Sequence, residues 1–322
     1  MKKFTKISLI VAAVLFALGL IITIAGAALG GTLVAARELA GASDWLFYNS
    51  AWHRGDHETT AYVAGEEAAA PSGDSVTASG NEALLGSHIQ GVYDISDITR
   101  LEAEMTFGEL SVETISGLEQ IQVETNNIDS NFKCKLNGKT LEVEYNKNNP
   151  SKWLDGDEKP YIYILIPENM NFDKVELSLD AGYVYTSEVH ADMLDVDVAA
   201  GQFDGVDFQI NGKTKLEVDA GQISVTNLNT EDLEADCDFG AIDFSGSVSG
   251  DAKVKTGAGT INLNLDQNYS SFNYTLKCGV GQIYLNNESI GSLNAKRTID
   301  NGASSDLAAD CGVGEINISL YD

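Results

Sequence analysis

Basic residues are scarce in this sequence of 322 residues. Lys and Arg number 20 against 48 Asp and Glu, and three of the basic residues lie before residue 37, in a segment without acids. Residues 37–322 therefore carry 17 basic and 48 acidic groups, a net charge of −31. Proteins that bind nucleic acids or anionic lipids need basic groups that face the phosphates. The charge balance excludes nucleic acid as a partner and argues against binding of anionic lipid by residues 37–322.

The chain also lacks the short motifs of common catalytic and metal sites. It contains no P-loop, no HExxH and no CxxC, and its Gly-x-Gly pairs lack the third glycine of a dinucleotide-binding loop. Four histidines leave few groups for acid–base catalysis. These absences predict a protein that is not an enzyme and holds no resident cofactor.

The longest uncharged run lies at the N-terminus. Residues 7–36 follow three lysines and contain no charge, and a helix of about 20 apolar residues crosses a bilayer. A cleaved signal peptide has a shorter apolar region of about 7–15 residues, although Ala-Gly-Ala at 25–27 could serve as a cleavage site. We predict that residues 1–36 form a cytoplasmic tip and an uncleaved single-pass transmembrane helix. By the positive-inside rule, the acidic bulk of the chain is then extracytoplasmic.

Two weaker signals lie in and near this segment. Gly26 and Gly30 form a GxxxG pattern, which would let two helices approach closely and form a homodimer. His53 and His57 are four residues apart, but no third ligand accompanies them, so a solvated loop is favoured over a metal site. Residues 37–90 as a whole have too little apolar surface to order themselves, and they predict a flexible acidic linker.

Residues 91–322 repeat one pattern, in which an alternating strand, a glycine and a second alternating strand follow each other. The glycines are Gly108, Gly182, Gly201, Gly221, Gly240, Gly259, Gly281 and Gly314. From the second glycine onward the spacings are 19, 20, 19, 19, 22 and 33. A period near 20 residues is typical of a solenoid, whose coils must stack because none can bury its apolar face alone. We predict an all-β fold: a single-chain β-solenoid, or β-helix, of about 20-residue coils, preceded by the transmembrane helix.

Alignment of the coils on these glycines gives three apolar columns. Two residues after the glycine stand Leu110, Val184, Phe203, Ile223, Ile242, Ile261, Ile283 and Ile316. Three residues before it stand Met105, Leu179, Val198, Val218, Cys237, Thr256, Cys278 and Cys311, and five before it Ala103, Leu177, Val196, Leu216, Ala235, Val254, Leu276 and Ala309. Because side chains alternate across a strand, these columns are predicted to face the core. The glycine marks a corner where a Cβ would collide or φ must be positive.

The segment 117–167 departs from the repeat. It contains four strand-like runs, and Asn137-Gly138 between two of them is typical of a hairpin turn. We predict that this segment packs on the N-terminal end of the solenoid and covers its first coil.

Several of these residues carry a resemblance. The run Tyr161–Pro167, the strand Val175–Leu179 and the successive Gly-x-Ile/Val strands resemble a bacterial family of unknown function whose members are labelled "putative adhesins" with β-strand repeats. The Met-Lys-Lys start, the long span and Gly-Gly near its outer end are similar as well. The resemblance covers about residues 91–322 and the span. It implies a role at the membrane, because some relatives accompany cell-envelope stress systems, and it supplies no catalytic motif.

The four cysteines are predicted to be free thiols. Cys237, Cys278 and Cys311 occupy an inward column where other coils have Val, Leu, Met or Thr, and Cys134 lies on the apolar side of its strand. Buried cysteine behaves as a small hydrophobic residue, although an exported domain sits where disulfides can form. Only Cys278 and Cys311 could stack closely, and their 33-residue spacing leaves a disulfide between them open.

Outward-facing carboxylates form the candidate metal site. They stand two and four residues before the corner glycine, and the acidic ladder comprises Asp180, Asp197, Glu217, Asp219, Asp236 and Asp238. Carboxylates stacked about 5 Å apart raise one another's pKa values or attract a hard cation such as calcium. Because the calcium-binding nonapeptide of β-rolls is absent, a solvated acidic face is favoured over a calcium site.

These observations predict a membrane-anchored extracytoplasmic module that binds an unknown surface ligand without catalysis. The alternative is an accessory or scaffold protein of a cell-envelope stress or membrane complex that acts through its transmembrane helix on a membrane protein. A polysaccharide-acting enzyme is a third hypothesis, but the scarcity of Lys and Arg argues against an anionic polymer as its substrate.

Overall fold

The computed structural model describes residues 76–77, 88–146 and 159–321. The predicted transmembrane helix, with Gly26 and Gly30, lies outside the described residues, as do His53 and His57. In the described part, no helix is long and apolar enough to cross a membrane. Sixteen β-strands and two short 3-10 helices, Ile95–Asp97 and Tyr269–Ser271, make up its regular structure. This confirms the all-β prediction for the described part of the chain.

The strands in chain order are β1 (Val76–Thr77), β2 (His88–Asp94), β3 (Arg100–Met105), β4 (Gly108–Ile115), β5 (Gln120–Asn126), β6 (Phe132–Asn137), β7 (Thr140–Tyr145), β8 (Tyr161–Pro167), β9 (Lys174–Ser187), β10 (His190–Ala191), β11 (Leu194–Val248), β12 (Ala252–Asn268), β13 (Phe272–Leu285), β14 (Glu288–Ser292), β15 (Ala295–Ile299) and β16 (Ser305–Tyr321). The first strand and the start of the second lie within the range 37–90 that was predicted as a linker, and β1 pairs antiparallel with β6.

The repeat forms parallel coils that stack on one another in register. Residues 194–206 of β11 pair with residues 175–187 of β9, and residues 233–246 of β11 pair with residues 252–265 of β12. Each coil has one strand segment before its corner glycine and another after it. A third short segment follows, where β10 pairs with Gln209 and Ile210 of the next coil.

The corner glycines stack directly on one another. Their φ angles lie between +132° and +156°, a region that residues with a Cβ rarely adopt. A Cβ on Gly240 would lie 1.6 Å from the carbonyl oxygen of Gly221, and one on Gly221 would lie 1.6 Å from that of Gly201. Both the backbone angle and the contact therefore demand glycine at this corner, as the sequence predicts.

The core runs along the inside of the coils. Every residue of the three apolar columns is buried, including Thr256 and the three cysteines at that position. Strand alternation thus assigned the inward side chains correctly in all eight coils. Burial of the three apolar columns is the main force that holds neighbouring coils together.

The last two coils are not stacked in chain order. β16 pairs in parallel with β12 on one side and with β13 on the other, so the coil of Gly314 lies between those of Gly259 and Gly281. The insertion places Asp310 beside both Lys255 and Lys277. In chain order the two lysines would be neighbours, and like charges on adjacent strands are unfavourable.

Both ends of the stack are covered by additional strands. At the N-terminal end, β7 pairs with β3 and β8 pairs with β4, and the antiparallel strands β6, β5 and β2 extend the sheet. This confirms that the segment 117–167 covers the first coil and that Asn137-Gly138 joins a hairpin. At the other end, β14 and β15 pair antiparallel with β13.

Candidate functional site

Three outer surfaces of the coils are candidates for function. The pre-glycine face comprises the outward side chains of the segments before the corner glycines. The tyrosine–amide face comprises the outward side chains of the segments after them. The corner ridge comprises the residues directly before the glycines. All three follow from one register, because each coil places equivalent residues above one another at a strand spacing of about 4.8 Å.

The pre-glycine face holds the predicted acidic ladder. Asp197, Glu217 and Asp236 stand at the same position of three successive coils, and Asp219 and Asp238 stand at another position of two successive coils. These five form the carboxylate cluster. Asp180 is separate from it, because the intervening coil has Ala199 at the equivalent position. The structure therefore brings together five of the six predicted ladder residues.

Partial burial and neighbouring negative charges raise the pKa of two carboxylates in the cluster. Partial burial, together with the charges of Glu217 and Asp219, raises the pKa of Asp197, while Lys215 opposes the shift. Partial burial and the charge of Asp238 likewise raise the pKa of Asp219. Among the described residues, no group of three or more His, Cys, Asp or Glu is arranged to hold a metal ion.

Lysines compensate the carboxylates around this cluster. Glu234 lies between Lys213 and Lys253, with Oε to Nζ distances of 2.7 and 3.0 Å, and the hydrogen bonds from these lysines lower its pKa to about 2. Lys255 lies 3.3 Å from Asp236. Much of the pre-glycine face is therefore a lattice of exposed ion pairs, each of which contributes little to stability.

The cysteines are buried free thiols in the structure. Burial raises the pKa of Cys134 and Cys237 to about 11 and that of Cys311 to about 12, so they are neutral at pH 7 and poor nucleophiles. The insertion of β16 makes Cys278 and Cys311 direct partners on adjacent strands. That is the pair for which the sequence left a disulfide open.

The tyrosine–amide face carries aromatic and amide side chains in register. Its N-terminal part holds Tyr161 and Tyr163 on β8 and Tyr183 and Tyr185 on β9, and these four residues form the tyrosine platform. The strand between them, β4, presents the smaller Glu109 and Ser111. Glu109 is 9% and Ser111 6% exposed, because they lie between the two tyrosine columns.

Hydrogen bonds hold the remainder of this face. The amide nitrogen of Asn262 donates to Asp243 at 2.6 Å, and that of Asn317 donates to Asn262 at 2.9 Å, across three stacked coils. Gln222 donates to Asp243 from the other side at 3.2 Å. The result is a polar ladder whose side chains are hydrogen-bonded to one another from coil to coil.

The corner ridge is apolar along its whole length. In stacking order it consists of Phe107, Ala181, Ala200, Ala220, Phe239, Ala258, Val313 and Val280. Phe239, Val280 and Val313 are 38%, 54% and 41% exposed. Apolar side chains at an outward position were the available signal for this ridge, and the column of outward tyrosines and amides was the signal for the tyrosine–amide face. The sequence reasoning used neither, because it looked for charged or catalytic groups.

Comparison with known proteins agrees with the predicted resemblance. The family Toastrack DUF4097 matches residues 104–310. A "putative cell adhesion protein" from Clostridium sporogenes is 17% identical, covers 74% of this chain and 100% of its own, and has a TM-score of 0.35. A "putative adhesin" from Bacteroides fragilis is 12% identical over 73% of this chain and 97% of its own, with a TM-score of 0.36.

A third similar structure is a "putative lipid binding protein" from Parabacteroides distasonis, 9% identical over 74% of this chain and 96% of its own, with a TM-score of 0.30. None of the curated proteins matches the sequence. Because the family match covers more than half of the sequence, the chain belongs to the Toastrack DUF4097 family.

Proposed function

We propose that this Toastrack protein is a membrane-anchored, extracytoplasmic adhesion module that binds its ligand without catalysis. The observation that carries the proposal is the tyrosine–amide face, on which side chains suited to recognition are held at fixed positions over many coils. Tyrosine and asparagine supply contact area and adaptable hydrogen bonds at low entropic cost, which is why they are common in binding surfaces. The net charge of −31 for residues 37–322 favours solubility of the exposed domain.

A non-catalytic role is supported by the state of the reactive groups. The buried thiols are neutral, and carboxylates such as Glu234 and Asp236 are engaged by lysines. The similar structures carry the names "putative cell adhesion protein", "putative adhesin" and "putative lipid binding protein". Release of products from any polysaccharide by the purified chain would contradict this part of the proposal.

Adhesion is tested by attachment of bacterial cells to surfaces coated with polysaccharides or proteins. Cells that carry the full chain are expected to attach to at least one coating several-fold better than cells that lack it. Equal attachment to every coating would overturn the adhesion proposal.

Anchoring is tested separately, by protease treatment of intact cells that carry a C-terminal tag on the chain. We expect the tag to be accessible from outside, and removal of residues 7–36 to release the domain from the membrane fraction. Replacement of residues 7–36 by an unrelated span then separates the two roles. Attachment is retained if the folded domain acts, whereas it is lost if the protein is an accessory that works through its own helix.

A further inference from the structure

We propose that the tyrosine platform is a binding site for an uncharged saccharide, a proposal that rests on the adhesion function and names its ligand class. The platform lies at the N-terminal end of the tyrosine–amide face and spans the three adjacent parallel strands β8, β4 and β9. Its two rows are set by register: Tyr161, Glu109 and Tyr183 are partners across the strands, and so are Tyr163, Ser111 and Tyr185.

The four tyrosine rings are partly exposed on the outer side of the sheet. Tyr161 and Tyr163 are stacked with ring centroids 5.2 Å apart and an angle of 7° between the ring planes. The two tyrosine columns are separated by two strand spacings, about 10 Å, and the small residues of β4 between them are almost fully covered. Because Tyr161 and Tyr163 cover each other's facing sides, the C–H groups of a sugar ring would contact their remaining exposed surface together with the rings of Tyr183 and Tyr185. The sugar hydroxyls would then bond to the polar groups around the rings.

Hydrogen-bonding groups surround the rings and hold them in place. The hydroxyl of Tyr183 donates to Asp204 at 2.8 Å, and the side-chain nitrogen of Gln202 lies 2.8 Å from both carboxylate oxygens of Asp204. On the opposite side Glu124 of β5 is the strand partner of Tyr163. Amide and carboxylate groups beside aromatic rings bind vicinal hydroxyls, and a fixed arrangement lowers the entropic cost of binding.

The charge around the platform selects an uncharged ligand. Strands β4, β5 and β8 contain no Lys or Arg, and the lysine of β9, Lys174, lies before the corner glycine and pairs with Glu176 and Asp195. Glu109, Glu113 and Glu124 lie on β4 and β5. Lys159 lies two residues before β8, and its Nζ is 3.4 Å from a carboxylate oxygen of Glu109. Burial and these carboxylates raise the pKa of Tyr163 to about 12, so its hydroxyl stays neutral. An acidic polysaccharide would be repelled here.

A saccharide fits this surface better than a protein partner does. Protein interfaces centre on large side chains that become fully buried. Among the described residues, the exposed large apolar side chains are spread over the corner ridge (Phe239, Val280), turns (Leu293) and the strand positions Ile89 and Ile115, and none of them belongs to the tyrosine platform. The platform instead combines half-buried rings with polar groups at every edge.

The test is binding of the detergent-solubilised full chain to an array of neutral and acidic oligosaccharides, followed by titration of the best neutral hexasaccharide. We expect neutral members to bind and acidic members not to bind. Tyr185→Ala should weaken the affinity about tenfold or more, and Tyr185→Phe, which keeps the ring and preserves folding, should retain most of it. Tyr284→Ala is the matched control. Tyr284 also stands three residues after a corner glycine, but it belongs to the coil of Gly281, at the opposite end of the stack from the platform.

Three results would overturn the proposal: no neutral saccharide binds, only acidic ones bind, or Tyr185→Ala and Tyr284→Ala weaken binding equally. A cationic peptide or a protein that binds the chain in a Tyr185-dependent manner, in the absence of saccharide binding, would also overturn it. The cell attachment assay separates this failure from that of the adhesion function. Attachment that persists in Tyr185→Ala cells refutes the saccharide platform alone, whereas absence of attachment by the unmodified chain refutes adhesion.

Discussion

The coils from Gly182 to Gly259 and the coils of Gly281 and Gly314 follow the same sequence pattern, yet they stack by different rules. The first group stacks in chain order, whereas β16 inserts between β12 and β13. The inward columns are buried in both groups, so burial by itself gives no preference for either order. The outward charges differ between the two orders, because insertion alternates Asp236, Lys255, Asp310 and Lys277 along one column. The sequence repeat therefore specifies the conformation and buried face of each coil, and the outward side chains help to decide which coil stacks beside it.

Deletion of residues 305–322 from the full chain should have the largest effect on this comparison. It removes buried side chains of β16 such as Leu307, Ile316 and Ile318, each contributing about 1.5–3 kcal/mol when large and apolar. It also leaves β12 and β13 without their common neighbour. We expect amide hydrogens of β13 to lose their exchange protection, while those of β9 keep it. Deletion of residues 321–322 alone serves as the control, and continued protection of β13 in the longer deletion would contradict the interleaved order.

Alanine at corner glycines should have the next largest effect, in both groups of coils. In Gly240→Ala and Gly314→Ala the new Cβ would lie 1.6 and 1.7 Å from a carbonyl oxygen of the neighbouring coil, and the positive φ adds about 1–2 kcal/mol of strain. We expect each to lower the free energy of unfolding by about 3 kcal/mol or more, as measured by urea denaturation.

The matched control is Gly302→Ala, at a glycine with φ +69° and no atom within 4 Å of a built Cβ. It should cost only about 1 kcal/mol, from backbone strain. If Gly314→Ala cost no more than this control, the inserted coil would be packed more loosely than the sequential ones.

Reversal of one charge in the outward column should change the free energy of unfolding differently in the two groups of coils. Asp310→Lys would place three lysines side by side and should lower the free energy of unfolding by about 0.5–1 kcal/mol, less at high salt. Glu217→Lys, in the sequential coils, puts a lysine between Asp197 and Asp236 and should be neutral or stabilising. Thermal unfolding at low and high salt measures both, and equal effects of the two changes would refute a role for charge in stacking order.

The smallest effect is expected for Asp219→Asn in the carboxylate cluster. The pKa of Asp219 is raised in the folded protein, which means that its ionised form disfavours folding. Below the usual pKa of aspartate the side chain is protonated and contributes its full stability to the fold. That contribution is lost as the pH rises through the raised pKa. The variant should therefore have a Tm about 1–2 °C higher at pH 7. The difference should vanish near pH 3, where Asp219 is protonated in both the folded and the unfolded protein.

A calcium titration of the same two proteins tests the predicted cation site. A saturating rise in Tm that is present in the original chain and absent in Asp219→Asn would assign calcium to the cluster. An unchanged Tm would leave these carboxylates as a solvated face.

The sequence predicted those parts of the fold that depend on local rules. Alternation identified the buried columns, and the positive-φ corners required the glycines of the repeat. The order of the last coils was harder to see, because it depends on contacts between distant segments. One signal existed: the spacing from Gly259 to Gly281 is 22 residues, against 19 or 20 in the preceding coils, and the 3-10 helix Tyr269–Ser271 lies in this longer connection.

The candidate sites were predicted less well than the fold. Five ladder residues do stand together, but Asp180 does not. Ala199 occupies the equivalent position on the next coil and separates Asp180 from the other carboxylates of its column. The tyrosine platform was missed because Tyr161 and Tyr163 belong to a segment outside the repeat, and only the pairing of β8 with β4 places them near Tyr183.

The position of β16 also bears on the order of events during synthesis. A solenoid can grow coil by coil as the chain emerges, each new coil adding to an existing edge. Here that growth halts at the coil of Gly259, because its correct neighbour is made after β13, β14 and β15. The strand β13 has no parallel partner strand until β16 has been synthesised and has paired with β12. An incomplete chain therefore carries an unfinished end that a complete one lacks, and a protease that recognises unpaired strands could distinguish the two.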